Sequence, residues 1–172
     1  MPDANSLLLF VLAGLALSVA SESGDRDGFE VTTDPTRMDV TAVHEFLATA
    51  SHWAMGTDIA TVRRSIENSL SFAVLDRDQK VVAFGRVISD RTTFAYITDV
   101  FVVESHRGRG LAGMLVEAML AHPELQGLRQ WALKSRDASG LYQRYGFERL
   151  PESRLYMQRP GSLPPDYRHE RE

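Results

Sequence analysis

Hydrophobic positions along this chain change their period several times, and each change marks an element. Val40, Val43, Phe46, Leu47 and Ala50 recur at three- and four-residue intervals behind Asp39. That spacing puts them on one helical stripe over Asp39–Ala50, with the aspartate in a capping position. Ile59, Val62, Ile66 and Leu70 repeat the period and predict a second helix over Thr57–Leu70. The period then shortens. Ser71–Leu75 and Lys80–Ser89 are β-rich runs joined by the polar turn Asp76-Arg77-Asp78-Gln79, which together read as a hairpin. Thr93–Val103 is a longer β-rich run. Leu111–Ala121 returns to helical spacing, with Leu111, Leu115, Ala118 and Met119 facing inward.

Leu128–Leu133 reads as a further strand, Ala138–Tyr145 as a short helix stopped by Gly146, and Leu155–Gln158 as a closing strand. A first strand at Phe29–Thr33 completes the order β-α-α-β-β-β-α-β-α-β. A hairpin followed by a helical crossover predicts an α/β (α+β) sandwich, its mixed and largely antiparallel sheet flanked by helices.

The two ends of the chain read differently from its middle. Leu7–Ala20 is an uncharged apolar run of 14 residues, short against the roughly 20 that span a bilayer. Its length and the small residues Ser18 and Ala20 suit an export leader, but Met1–Ser6 carries no Lys or Arg. A leader, a non-native extension and an apolar helix lying on the domain all stay open, and Ser21–Gly28 reads as a polar linker. At the other end, Pro160-Gly161-Ser162-Leu163-Pro164-Pro165 and the charged run to Glu172 read as a disordered tail. One folded domain is therefore expected over residues 29–159, with 1–28 as extension and linker and 160–172 as tail.

Composition narrows the chemistry. A net charge of −4 over 172 residues gives no basic surface for nucleic acid. With no cysteine there is no disulfide frame, no thiolate nucleophile and no Cys-bound zinc, and five scattered histidines form no metal-ligand pattern.

The strongest local signal is the join Val102-Val103-Glu104-Ser105-His106-Arg107-Gly108-Arg109-Gly110-Leu111-Ala112. An apolar strand ends, a polar turn follows, and two glycines stand where an amphipathic helix begins. Bare N–H groups at a helix N-terminus attract a phosphate or pyrophosphate, and glycine lets the ligand approach the backbone. The alternative is a tight strand-to-helix turn with no ligand.

Arg107-Gly108-Arg109-Gly110-Leu111-Ala112 resembles the Arg/Gln-x-x-Gly-x-Gly/Ala motif of the GNAT family of N-acetyltransferases. Downstream, Ser135-Arg136-Asp137-Ala138-Ser139-Gly140-Leu141-Tyr142-Gln143-Arg144-Tyr145-Gly146-Phe147 resembles that family's Asn-x-x-Ala-x-x-x-Tyr-x-x-x-Gly-Phe segment. Ser135 replaces the usual Asn. The resemblance covers nearly all of residues 29–159. It implies acetyl-CoA as co-substrate, with its pyrophosphate on the backbone of Gly108, Arg109, Gly110, Leu111, Ala112 and Gly113, Arg107 and Arg109 adding charge, and Ser135 as a further contact. It also implies that the strand ending in Val100, Phe101 and Val102 splays from the next strand, leaving a gap for the pantetheine arm to pair with exposed backbone. Tyr142 would act as general acid to the departing thiolate; half-buried packing is its structural alternative.

Asp99 sits inside an apolar strand, an odd place for a charge unless it faces a cleft or a partner. It is the candidate to attract the acceptor's ammonium and take its proton, or else a structural residue. Thr98 occupies the neighbouring position, so no two-acid arrangement exists there. Trp53, Arg86 and Tyr96 are candidates for acceptor binding. His52, Met55 and Asp90 lie near them in sequence, and Arg86 could instead pair with Asp99 or Asp90. His44 and His122 read as solvated or capping residues.

These readings point to acetyl transfer to a primary amine, of a small molecule, by direct attack in a ternary complex. A non-catalytic CoA or acyl-CoA sensor, an enzyme acting on a protein amine, and a fold-only interaction protein are the alternatives. No metal, nucleic acid or membrane partner is expected. Family members often dimerise, so a homodimer is one expected state. Acetyl-CoA is a cytosolic cofactor, which favours the cytoplasm, with export or membrane association through residues 7–20 as the dissenting reading.

Overall fold

The structure, a computed structural model, describes residues 27–150 and Met157. The apolar run 7–20, the closing strand expected at Leu155–Gln158 and the tail 160–172 lie outside the described residues, Met157 apart. Five strands form one sheet: β1 (Glu30–Thr32), β2 (Leu70–Leu75), β3 (Val81–Ser89), β4 (Phe94–Val102) and β5 (Gln130–Leu133). Their order is β1-β2-β3-β4-β5. The first three pairings are antiparallel and the last, β4 with β5, is parallel. Helices α1 (Val40–Ala50) and α2 (Ile59–Glu67) link β1 to β2, α3 (Leu111–Ala121) crosses from β4 to β5, and α4 (Ser139–Gln143) follows β5. The expected mixed, largely antiparallel sheet flanked by helices is what the chain forms.

Each helix begins for a local reason. The Asp39 carboxylate accepts from the N–H groups of Thr41 and Ala42 at 2.9 and 3.2 Å and opens α1. Asp58 accepts from the Thr61 N–H at 2.9 Å and caps α2, which begins at Ile59, two residues beyond the expected start at Thr57. The helix also ends sooner than its apolar stripe suggested. Asn68 folds its amide back onto the Arg64 carbonyl at 2.8 Å, and Leu70 becomes the first residue of β2. Only Val62 and Ile66 of the expected stripe are buried on the helix, while Ile59 is exposed.

The sheet separates two apolar clusters. Phe72, Val74, Val82, Val87, Ala95 and Ile97 pack with Leu111, Leu115 and Met119 of α3. On the opposite face Ala73, Leu75, Phe84 and Phe101 pack with Val43 and Leu47 of α1 and with Val62 and Ile66 of α2. Burying these side chains is the main force holding the layers together, at about 1.5–3 kcal/mol for each large aliphatic or aromatic group.

Two irregularities shape the middle of the sheet. Pairing of β4 with β5 stops at Ile97↔Leu133, although β4 runs on to Val102. Beyond Ile97 that edge of β4 has no strand partner among the described residues. On its other edge, Phe84 faces Phe101 while Arg86 faces Thr98, so Asp99 and Val100 together oppose Gly85. This is a β-bulge, with Asp99 at φ 54°. Space explains the glycine: a Cβ on residue 85 would lie 2.7 Å from Cε of Met119 and 3.0 Å from Cγ2 of Val100.

Candidate active site

The glycine-rich join forms a left-handed turn at two points, Gly108 at φ 77° and Gly110 at φ 78°. L-residues with a Cβ rarely adopt this conformation. Gly110 is the N-cap of α3 and offers no side chain to cap it. Met114 N–H reaches back to the Gly110 carbonyl at 3.1 Å. The N–H groups of Leu111, Ala112 and Gly113 have no acceptor among the described residues. Three parallel donors at the positive end of a helix dipole are the chemistry a pyrophosphate requires. The turn itself is open, since nothing lies within 4 Å of a Cβ placed on Gly108 or Gly110, whereas a Cβ on Gly113 would lie 2.8 Å from the Tyr145 hydroxyl.

Both sequence motifs line one cleft of about 470 Å³ beside this turn. Val102, Arg107, Gly108 and Gly110–Gly113 form one wall, and Leu141, Arg144 and Tyr145 form the other, with Glu117 between them. Tyr145 donates its hydroxyl to Oε1 of Glu117 at 2.9 Å, tying α3 to the segment after α4. Glu117, Leu141 and Arg144 were not singled out in the sequence. For Glu117 a signal existed: Gly110, Gly113 and Glu117 stand at i, i+3 and i+7 and so share a helix face.

The remaining residues expected at the cofactor fall into distinct places. Arg107 donates Nε–H to the Val102 carbonyl at 3.3 Å, which fastens the turn to the end of β4. Arg109 turns away from the cleft, its guanidinium carbon 5.9 Å from the ring centroid of Phe29. Phe101 stacks on Phe46 at 3.9 Å and Leu111 is buried in the core, so these two present only backbone to a ligand. Val100 is half-buried against the α3 cluster. Ser135 accepts from the Ala138 N–H at 3.0 Å and so organises the turn into α4.

Tyr142 lies in the α3 cluster, 7% exposed, with Phe147 edge-on at 5.9 Å. Burial pushes its hydroxyl pKa above the ordinary tyrosine value. The hydroxyl has no hydrogen-bond partner among the described residues, yet it is not among the fully buried polar atoms that lack one. It therefore keeps both a proton and an exposed tip.

Asp99 and Arg86 form an ion pair, Nε donating to Oδ2 at 2.5 Å, with side chains 11% and 16% exposed. Of the two partners open to Arg86, the structure selects Asp99. Asp90 instead closes its own loop, its carboxylate accepting from the N–H groups of Thr92, Thr93 and Phe94 and from the Thr93 hydroxyl. These bonds hold the Asp90 pKa far below the usual carboxylate range.

Tyr96 pairs with Ile88 and Ala132 on the sheet. Trp53 is partly exposed in the α1–α2 loop, edge-on to His52 at 4.9 Å, and Met55 beside it is exposed. His44 donates Nε2–H to the Thr57 carbonyl at 2.9 Å. His122 accepts the Glu124 N–H at 3.3 Å and so caps the turn after α3.

Among the described residues no group of three or more His, Cys, Asp or Glu side chains comes together as a metal site. No helix among them is long and apolar enough to cross a membrane.

Comparison with known proteins defines the class. The model of the acetyltransferase (GNAT) domain matches residues 68–149, which includes both motifs. A GNAT-family protein from Xanthomonas campestris pv. campestris is 44% identical, covering 81% of this chain and 96% of that chain, with a TM-score of 0.75. A Deinococcus radiodurans R1 protein shares the fold at 21% identity over 72% of this chain and 84% of its own, TM-score 0.60. So does glucosamine-6-phosphate N-acetyltransferase from Arabidopsis thaliana, at 15% identity over 79% and 99%, TM-score 0.57. None of the curated proteins matches the chain. The class is acetyl transfer, and the chain belongs to the GNAT acetyltransferase family.

Proposed function

We propose that this protein transfers the acetyl group of acetyl-CoA to a primary amine of a small molecule, by direct attack in a ternary complex. The observation that carries this reading is the opening of the sheet. The free edge of β4 beyond Ile97 ends at Val102, which lines the same cleft as the uncapped N-terminus of α3. A linear ligand with a pyrophosphate at one end and amide groups along its arm fits that path. Acetyl-CoA supplies an activated thioester carbonyl with a thiolate leaving group.

The chain's own residues then have separable tasks. N–H groups of Leu111, Ala112 and Gly113 hold the pyrophosphate, and the exposed edge of β4 pairs with the arm as an added strand. The amine nitrogen gives up a proton to water and forms the new amide bond as the carbon–sulfur bond breaks. Tyr142 gives its hydroxyl proton to the departing sulfur and recovers one from solvent. Its raised pKa keeps that proton in place at neutral pH. No cysteine is present to carry an acyl group, in keeping with direct transfer. Asp99 is held by Arg86, so one carboxylate oxygen is committed and it orients the amine instead of serving as a free base. The reading puts the protein in the cytoplasm, with acetyl-CoA.

The test is acetyl-CoA-dependent thiol release across a panel of amines, with Tyr142→Phe beside the wild type. Turnover on at least one small amine, reduced about tenfold or more in kcat by the substitution, is expected. Tight CoA binding with no turnover on any small amine would redirect the search to a protein acceptor or a sensor.

A further inference from the structure

The acceptor can be narrowed, on the N-acetyltransferase reading above. The sheet face toward α1 and α2 keeps Arg86, Thr98 and Asp99 only partly buried. Beneath the helices it is apolar, through Ala73, Leu75, Phe84 and Phe101. Next to them a polar row crosses three strands. Ser71, Arg86 and Thr98 are successive register partners, so their side chains share a face. Asp99 joins the row from the bulge. Burying an ion pair brings little stability, because desolvation offsets the Coulombic gain. Holding Asp99 at φ 54° is a second cost. Both costs fall on one residue, two positions past the point where β4 and β5 part.

The hydrogen bonds show what is left over. Arg86 uses Nε toward Asp99. A guanidinium has five N–H donors, and those on Nη1 and Nη2 have no protein partner among the described residues. They form the planar end that grips a carboxylate through two parallel bonds. The Ser71 hydroxyl, in register beside Arg86, is buried with no hydrogen-bond partner among the described residues. Asp99 keeps Oδ1, which among the described residues meets only the Thr98 hydroxyl, at 3.3 Å.

We propose that the acceptor is an amine that also carries a carboxylate, an amino acid or a close analogue. Its carboxylate sits on the Nη edge of Arg86, and its nitrogen lies on the Asp99 side, toward the gap. Charge selects this class. The Arg86–Asp99 pair is neutral as a whole but presents a positive pole beside a negative one. An amino-carboxylate presents the same two poles in complementary order. A polyamine brings only positive charge, meets Arg86 and finds Asp99 already neutralised. A phosphomonoester brings about two negative charges to one guanidinium edge with a carboxylate behind it.

The experiment compares initial rates on amino acids, on their carboxamides and on polyamines at saturating acetyl-CoA. Amino acids should exceed their carboxamides in kcat/KM by about tenfold or more. Arg86→Lys keeps the charge opposite Asp99 but removes the planar fork. It should collapse that ratio toward unity, mainly through the KM of the amino acid. Equal or better acetylation of carboxamides or polyamines overturns the proposal, as does an Arg86→Lys enzyme that keeps the ratio.

Calorimetric titration of amino acids into the CoA-loaded protein separates the two readings. Binding that Arg86→Lys abolishes, with no transfer to any amine, fails the transfer reading and leaves the carboxylate site standing. Transfer to amines without carboxylate preference fails the site alone.

Discussion

Tyr142 and Asp99 are both ionisable groups placed where charge is costly, and the structure resolves the cost in opposite ways. Tyr142 stays neutral. Burial raises its pKa above 10.0, so it is a filled proton donor throughout the physiological range. The sign for stability follows. The unfolded chain loses this proton first as pH rises, so the stability tied to the neutral hydroxyl is present below the unfolded pKa and is lost as pH climbs through the folded one. For catalysis, any alkaline fall in kcat caused by Tyr142 should begin above about pH 10. A pH–rate profile of wild type and Tyr142→Phe checks this; a limb below pH 9 that disappears in the variant would contradict it.

Asp99 resolves its cost by pairing with Arg86. The sequence could flag Asp99 as misplaced in an apolar strand, and it offered Arg86 two partners. It could not choose, because the choice depends on a register shift between β3 and β4 that no periodicity encodes. Arg109 shows the same limit: its place in the motif points to the pyrophosphate, yet the nearby Phe29 face draws it away.

At the scale of elements, strands and helices were legible wherever burial imposes one period. That holds for α1, for α3 and for the β2–β3 hairpin. It failed at the end of α2, where Leu70 fits the helical stripe but the chain has already turned. Local side-chain bonds from Asn68 and Ser69 to the carbonyls of Arg64 and Ser65 close the helix, a competition that polar residues bring and an apolar count misses. Helix starts divide by task. Asp39 satisfies the donors of α1, whereas Gly110 leaves those of α3 open. Asp39→Ala should cost about 1 kcal/mol of stability and leave CoA affinity alone. Gly110→Ala should cost about 1–2 kcal/mol, because alanine resists the left-handed conformation, and should weaken CoA as well. Urea unfolding and CoA titration of both variants test the contrast. A Gly110→Ala protein with undiminished CoA affinity would mean that the turn is structural alone.

In the whole molecule, the binding path runs between the β4–α3 side and the β5–α4 side. β4 and β5 share four register pairs before they part, and the segment after α4 meets α3 through the Tyr145–Glu117 bond and the packing of Tyr145 and Phe147 on the core. A ligand lying on the β4 edge and the α3 N-terminus would bridge the β4–α3 side to the β5–α4 side. Binding to the folded state alone stabilises by mass action, about 2.7 kcal/mol when free ligand is a hundred times Kd. For a chain of this size that corresponds to a rise in Tm of roughly 5–10 °C. CoA at such excess should produce that rise. Gly110→Ala should shrink it, and Arg86→Lys should not, since Arg86 faces the acceptor and not the cofactor path. Scanning calorimetry of the three proteins with and without CoA makes the comparison. A rise equal in all three would place CoA away from the α3 turn. No rise in any of them would leave the gap beside β4 as an irregularity of the sheet with no ligand to explain it.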